Sequence, residues 1–245
     1  MTHSVVLPTA YGQMIVNRYD GNQTQHFLRT GRAIDHDEIM SVAQLIDPGM
    51  DAIDIGTCFG AWTLAFSQRA RRVYSFEPQR MIYNQLCGSL ALNGIENVRT
   101  YNVAVGAETA ILNAPKYNYN DYLEFGCVYF CPRTKQGDMA QPIQPSEETV
   151  YQVPLDIFKL DNIGVMKVDT EGMELEVLAG AKDTIERNRP ILHLEIFMLD
   201  RAKLDEILKN WNYTSFDNSG DMLAAPAEKY DLGKNEAGTF IIARK

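Results

Sequence analysis

No apolar run in this 245-residue chain approaches the roughly 20 residues that a membrane-spanning helix requires, so no membrane partner is expected. The opening residues also lack a charged segment followed by an apolar stretch, so no signal peptide is expected. Basic residues are too few for a nucleic-acid footprint. Lysine and arginine total 23 against 32 aspartates and glutamates, a net charge of −9. Phosphate contacts need clustered cations, and the densest group here is Arg69, Arg71 and Arg72 at the end of a helical run. Cysteine is scarce as well. Cys58, Cys87, Cys127 and Cys131 are too few and too scattered for a disulfide framework in a chain of this length. They suit reduced thiols in a cytoplasmic setting. The spacing Cys127-x-x-x-Cys131 is half of a zinc motif, but no second cysteine or histidine pair completes it, and no metal is expected. Internal repeats and low-complexity tracts are absent.

One further absence is more instructive. Dinucleotide-binding turns carry G-x-G-x-x-G, and the corresponding stretch here is Asp54-Ile55-Gly56-Thr57-Cys58-Phe59-Gly60. The first glycine position is Asp54, which leaves Gly56-x-x-x-Gly60. An apolar run, Ala52 to Ile55, leads into this turn, and a helix-compatible run from Trp62 follows it. A second run, Val73 to Phe76, ends in Glu77-Pro78. Strand, glycine turn, helix, strand and acid make up the front half of a nucleotide-binding α/β unit. The glycines allow close backbone approach, and the helix start offers free N–H groups. The acid can accept both hydroxyls of a ribose. This loop suits a ligand with an amino-acid end better than a pyrophosphate, and S-adenosylmethionine is such a ligand.

Residues 1–34 read as an irregular or β-containing lead-in, with turns at Gly12, Gly21 and Gly31. Asp35 to Ile46 has helical apolar spacing, with Asp35 and Glu38 placed as a capping box. Further strands are expected over 52–55, 73–76, 98–103, 165–168 and 191–197. Helices are expected over 62–70, 79–93, from Glu174 to Arg187, and over 202–209. Two short strands near 213–216 and 239–243 close the chain. This alternation predicts a doubly wound, mostly parallel Rossmann-like α/β sheet. Residues 1–50 are then a lead-in with a helix packed on the core, and 51–245 form the main domain. Residues 113–150 break the rhythm with four prolines and a Tyr/Asn cluster, and are expected to be an inserted substrate-side segment.

The ordered motifs resemble those of class I S-adenosylmethionine-dependent methyltransferases, specifically the FkbM family. They are AIDIGTCFGAWTL at 52–64, YSFEP at 74–78, NVAVG at 102–106, IGVMKVDTEGMELEVLAGA at 163–181 and PILHLEI at 190–196. Together they span roughly residues 50–200. Thr57-Cys58 departs from the Ala-Asn that the family commonly has after the first glycine. The resemblance implies that Asp54, Gly56, Thr57, Phe59 and Gly60 shape the site for the cofactor's methionine end, and that Glu77, with Pro78, takes the ribose hydroxyls. It places Asn102 and Val103 beside the adenine and Asp169 at the reaction centre.

An in-line methyl transfer needs orientation above all, and an alcohol nucleophile gains from a base. Asp169, Glu171 and Glu195 are the candidates, followed by His193. Amine and base methyltransferases often carry Asn/Asp-Pro-Pro-Tyr/Phe where this chain has Asp169-Thr170-Glu171-Gly172, so O-methylation of a small-molecule or glycan acceptor is expected. The alternatives are a non-catalytic binding module with the same pocket and, further off, a nicotinamide-dependent oxidoreductase. Oligomeric state is not legible.

Overall fold

The computed structural model describes residues 2–115, 117–126, 145–218, 220–234 and 240–245. The chain opens with a hairpin, β1 (Ser4–Thr9) and β2 (Gly12–Asn17), followed by α1 (Gln23–Thr30) and α2 (His36–Ala43). The core continues with β3 (Asp51–Ile55), α3 (Ala61–Ser67), β4 (Arg72–Phe76), α4 (Arg80–Leu92) and β5 (Val98–Tyr101). A side sheet contains β6 (Ala104–Val105), β7 (Ala110–Pro115) and β8 (Pro145–Val153). The core resumes with β9 (Ile163–Val168), α5 (Glu174–Gly180), α6 (Lys182–Asn188), β10 (Ile191–Glu195) and α7 (Arg201–Asn210). Strands β11 (Tyr213–Asn218), β12 (Asp221–Pro226), β13 (Tyr230–Lys234) and β14 (Phe240–Arg244) complete the chain. Among the described residues, no helix is long and apolar enough to cross a membrane.

The main sheet has seven strands in the order β11-β12-β10-β9-β3-β4-β5. Strands β10, β9, β3, β4 and β5 run parallel, and β12 and β11 add an antiparallel edge. The chain runs outward from β3 through β4 to β5, then returns to lay β9 and β10 on the other side of β3. The strand order therefore reverses between β3 and β9, where the loops after the two strands part and leave a crevice. Alternation along the strands separates two apolar layers. Ala52, Val73, Val165 and Ile191 face one, with Trp62, Phe66 and Leu86. Ile53, Ile55, Phe76, Met166, Val168 and Leu194 face the other, with Val177 and Ile185.

The lead-in is a structured hairpin. The Ile15 N–H donates to Ser89 Oγ (2.8 Å) and the Gln13 N–H to Asn93 Oδ1 (2.8 Å), which holds β2 against α4. The expected capping box at the start of α2 does not form, because neither side chain caps the helix. Asp35 Oδ2 accepts from Trp62 Nε1 (2.6 Å), and Glu38 Oε1 is hydrogen-bonded to His193 Nε2 (3.0 Å). The expected strand over 98–103 ends at Tyr101, and two strands not expected from the sequence, β12 and β13, appear in the tail. Cys127 and Cys131 lie outside the described residues, as does the middle of the 113–150 segment.

Candidate active site

Paired positions on β4, β3, β9 and β10 carry Ser75, Asp54, Lys167 and His193 in register, on one face of the sheet. All four are buried among apolar neighbours, so each needs a partner. Thr63 on α3 donates to Asp54 Oδ2 (2.6 Å) and lies 2.9 Å from Ser75 Oγ. Lys167 Nζ donates to the Gly56 carbonyl (2.7 Å) and lies 3.6 Å from Asp54 and 3.3 Å from Asp169. Burial lowers the affinity of this ammonium for its proton, but the charges of Asp169 and Asp54 outweigh it and the pKa rises above the ordinary lysine value. Burial likewise pushes the Glu38 carboxyl up, yet the hydrogen bond and charge of His193 hold it below its ordinary value.

Above this polar row the two switch-point loops touch. Gly56 has φ +77°, and a Cβ there would stand 1.7 Å from the Asp169 carbonyl oxygen, so only glycine lets the chains pass. Glu77 closes the neighbouring strand. Its Oε2 accepts the Cys58 N–H (2.9 Å) and its Oε1 the Gln79 N–H (2.8 Å), which leaves further acceptor capacity on both oxygens. Burial raises its pKa to about 7. Asn102 Nδ2 donates to the Glu77 carbonyl (2.8 Å) and to that of Pro78 (3.1 Å), fixing the strand end from behind.

A cavity of about 390 Å³ opens at this point. Of the residues singled out in the sequence, Gly56, Glu77, Pro78, Val103, Asp169, Glu171 and Glu195 line it. Asp54, Thr57, Phe59, Gly60 and Asn102 do not. Asp54 and Thr57 are buried, Phe59 packs in the core, and Gly60 starts α3. His193 lines a second cavity of about 260 Å³, which shares Asp35, Asp169 and Glu195 with the first. Carboxylate oxygens of Asp169, Glu171 and Glu195 lie within 4.8 Å of one another. Burial, then the charges of Asp169 and Glu171, raise the Glu195 pKa to about 9.

The sequence pointed to the lead-in and to 113–150 as cover for the pocket mouth, but singled out none of their wall residues. Asp20, Asn22 and Gln23 come from the lead-in, and Glu124 and Gly126 from the inserted segment. Asp20 joins the two, since its Oδ1 accepts the Thr24 N–H (2.8 Å) and its Oδ2 the Phe125 N–H (3.0 Å). Gln79 Nε2 adds a bond to the Phe125 carbonyl (2.8 Å). Lys167 was visible as the one charge in an apolar strand, but its service to both Asp54 and Asp169 was not.

The sequence profile of the methyltransferase FkbM domain matches residues 54–215. No protein of curated function matches the chain. Among solved structures, the chain is similar to the methyltransferase FkbM of Methylobacillus flagellatus, with a TM-score of 0.53 and 17% identity, over 74% of this chain and 44% of that one. It thus spans less than half of that protein's length. It is also similar to Trm5b of Pyrococcus abyssi, with a TM-score of 0.50 and 9% identity, over 91% of this chain and 54% of that one. M. jannaschii TYW2 in complex with AdoMet follows at a TM-score of 0.46 and 12% identity, over 91% and 84% of the two chains. At these identities the first two likenesses speak for the fold alone.

Proposed function

The chain belongs to the FkbM methyltransferase family and its cofactor is S-adenosylmethionine; on that premise we propose that it methylates a hydroxyl of a sugar or secondary metabolite. The observation that carries the hydroxyl reading is the group Asp169, Glu171 and Glu195, three carboxyls meeting at the cavity where β9 and β10 end.

When bound, the cofactor supplies an activated sulfonium methyl. Glu77 holds the ribose hydroxyls with the acceptor capacity its two backbone bonds leave open. Gly56 keeps the loop low enough for the methionine end to lie against it. Asp169, one half of an ion pair with Lys167, accepts the hydroxyl proton of the acceptor. Glu195, whose pKa burial and the neighbouring acids raise to about 9, keeps its proton at neutral pH and so adds no second negative charge beside Asp169. We assign the residues around Asp20 and Glu124, with the rest of 113–150, to acceptor selection, because Glu124 and Gly126 of that segment line the cavity beside Asp20.

A nucleic-acid acceptor fits poorly. Asp20, Asp35, Glu77, Glu124, Asp169, Glu171 and Glu195 line the cavity, and among the described residues no lysine or arginine does. A phosphate backbone would be repelled there. We place the reaction in the cytoplasm, which the sparse cysteines favour.

The test is transfer of a labelled methyl from S-adenosylmethionine across matched panels of hydroxylated metabolites, amines and RNA. Labelled ethers are the expected product. Label found only on nitrogen or on RNA would overturn the hydroxyl reading, and no transfer to any panel would favour a binding module.

A further inference from the structure

Residues 117–126, the strap of the inserted segment that reaches the cofactor cavity, are pinned at Phe125 from two sides. Its N–H donates to Asp20 Oδ2 (3.0 Å) in the lead-in, and its carbonyl accepts from Gln79 Nε2 (2.8 Å), just before α4. The lead-in adds two backbone bonds, Leu123 N–H to the Tyr19 carbonyl (3.1 Å) and Gly21 N–H to the Leu123 carbonyl (2.8 Å). The Phe125 ring is buried and stacks on Tyr119. On either side of it, Glu124 and Gly126 line the cavity.

Gln79 is bonded to the strap and to the ribose acceptor at once. Its main-chain N–H donates to Glu77 Oε1 (2.8 Å), while its side-chain amide holds Phe125. A carbonyl can only accept, so the NH2 group must face Phe125, and this fixes the orientation of the amide. Gln79 is only 8% exposed and lines the cavity, yet among the described residues its Oε1 has no donor. A buried acceptor without a donor is destabilising. The amide is thus held for the strap against its own hydrogen-bonding needs, and a nucleoside brings O–H and N–H donors to the cavity beside it.

Two routes join a ligand in the cavity to the strap. One is direct contact with Glu124 and Gly126. The other runs through Glu77, whose proton burial retains up to about pH 7. Ribose hydroxyls donating to Glu77 favour its carboxylate form, which accepts more strongly from the N–H groups of Cys58 and Gln79. Through Cys58 the strap receives a van der Waals contact, since a Cβ on Gly126 would stand 3.5 Å from Cys58 Sγ. Through Gln79 it receives a directional hydrogen bond.

We propose that Gln79 is a positioning residue that couples the cofactor to the acceptor wall: a ribose held by Glu77 steadies Gln79, and the Gln79 amide holds the Phe125 strap against the cavity. The wall is complete once the cofactor is in place, so the cofactor binds first and the acceptor second. The inference rests on the methyltransferase reading above, with Glu77 as ribose acceptor.

Hydrogen exchange tests this. The reporters are the Leu123 and Phe125 amides, followed by nuclear magnetic resonance with and without saturating S-adenosylhomocysteine. In wild type the ligand is expected to slow their exchange at least tenfold. Gln79→Met keeps the side-chain length and the main-chain bond to Glu77 but removes the amide. There the ligand should slow exchange less than threefold. Coupling is reciprocal, so calorimetry should show weaker binding of S-adenosylhomocysteine, by less than tenfold, in a protein that thermal melts show to be folded. Asp20→Asn controls for simple loosening of the strap. It should raise exchange of the Leu123 amide yet keep the tenfold effect of the ligand, because Gln79 is untouched. Protection that persists in Gln79→Met would assign the effect to direct contact and overturn the proposal. Loss of the ligand effect in Asp20→Asn as well would overturn it too, leaving Gln79 one fastener among several. S-adenosylhomocysteine that binds wild type without protecting the strap would contradict this proposal alone, whereas no binding to wild type would contradict the cofactor premise together with it.

Discussion

Lys167 is the residue on which the polar row depends. Its ammonium compensates the fully buried Asp54 and pairs with the half-exposed Asp169, so one side chain links the floor of the pocket to its reacting edge. Lys167→Met keeps the volume and removes the charge. Breaking a buried pair from one side costs about 3–5 kcal/mol, and urea denaturation should show a loss of that size. A loss below about 1 kcal/mol would mean that Asp54 does not need its partner. Asp169→Asn separates chemistry from anchoring. If Asp169 accepts the hydroxyl proton, single-turnover rates should fall on the order of 100-fold or more, with a smaller loss in cofactor affinity. Loss of affinity with an unchanged rate would make Asp169 a cofactor anchor, and wild-type values of both would leave it no role. The sequence placed Asp169 at a strand end because Val165 to Val168 are apolar apart from Lys167 and Gly172 follows. It held no sign that Lys167 donates to the Gly56 carbonyl, because that partner lies 111 residues away in the chain.

At the scale of elements, the parallel core was legible because its strands are short apolar runs, each closed by a polar or turn residue. The runs 52–55, 73–76 and 165–168 fall within β3, β4 and β9. Strand β12 was not legible, because Asp221–Pro226 holds no β-branched residue. It is a strand because β10 and β11 pair with it on either side. The capping box failed for a related reason. Asp35 and Glu38 have the right local spacing, but Trp62 and His193, 27 and 155 residues away, offer them bonds. No window of sequence weighs a local cap against a distant partner. The joint between the lead-in and the inserted segment is equally non-local, and it can be tested. In Asp20→Asn the amide keeps one acceptor for Thr24 but sets its NH2 against the Phe125 N–H, or the reverse. The cost should be about 1–3 kcal/mol. Turnover should fall more than tenfold while S-adenosylhomocysteine affinity changes less than fivefold. An unchanged turnover would remove the segment from acceptor selection.

For the whole molecule, the pocket stores like charge that the fold holds against its own stability. Burial raises the Glu77 pKa to about 7, and burial with neighbouring acids raises that of Glu195 to about 9, both from 4.5. A carboxyl whose folded-state pKa is raised contributes stability fully below its unfolded pKa and loses that contribution as pH rises through the folded value. The ligand-free protein should therefore lose melting temperature between about pH 5 and pH 9. Glu195→Gln should flatten the upper part of that profile and melt higher than wild type at pH 8. A profile of unchanged slope in the variant would place Glu195 in contact with solvent. Cofactor binding should stabilise the fold by about 2.7 kcal/mol at 100 times the dissociation constant. Every functional step above requires that the crevice between β3 and β9 hold S-adenosylmethionine with Glu77 as its ribose acceptor. Calorimetric titration of wild type and Glu77→Gln with S-adenosylhomocysteine, and of wild type with NADH, puts that requirement to the test. Saturable binding of S-adenosylhomocysteine is expected, with none of NADH, and at least a tenfold weaker affinity in a folded Glu77→Gln. Binding of NADH alone, or equal affinity in the two proteins, would refute it.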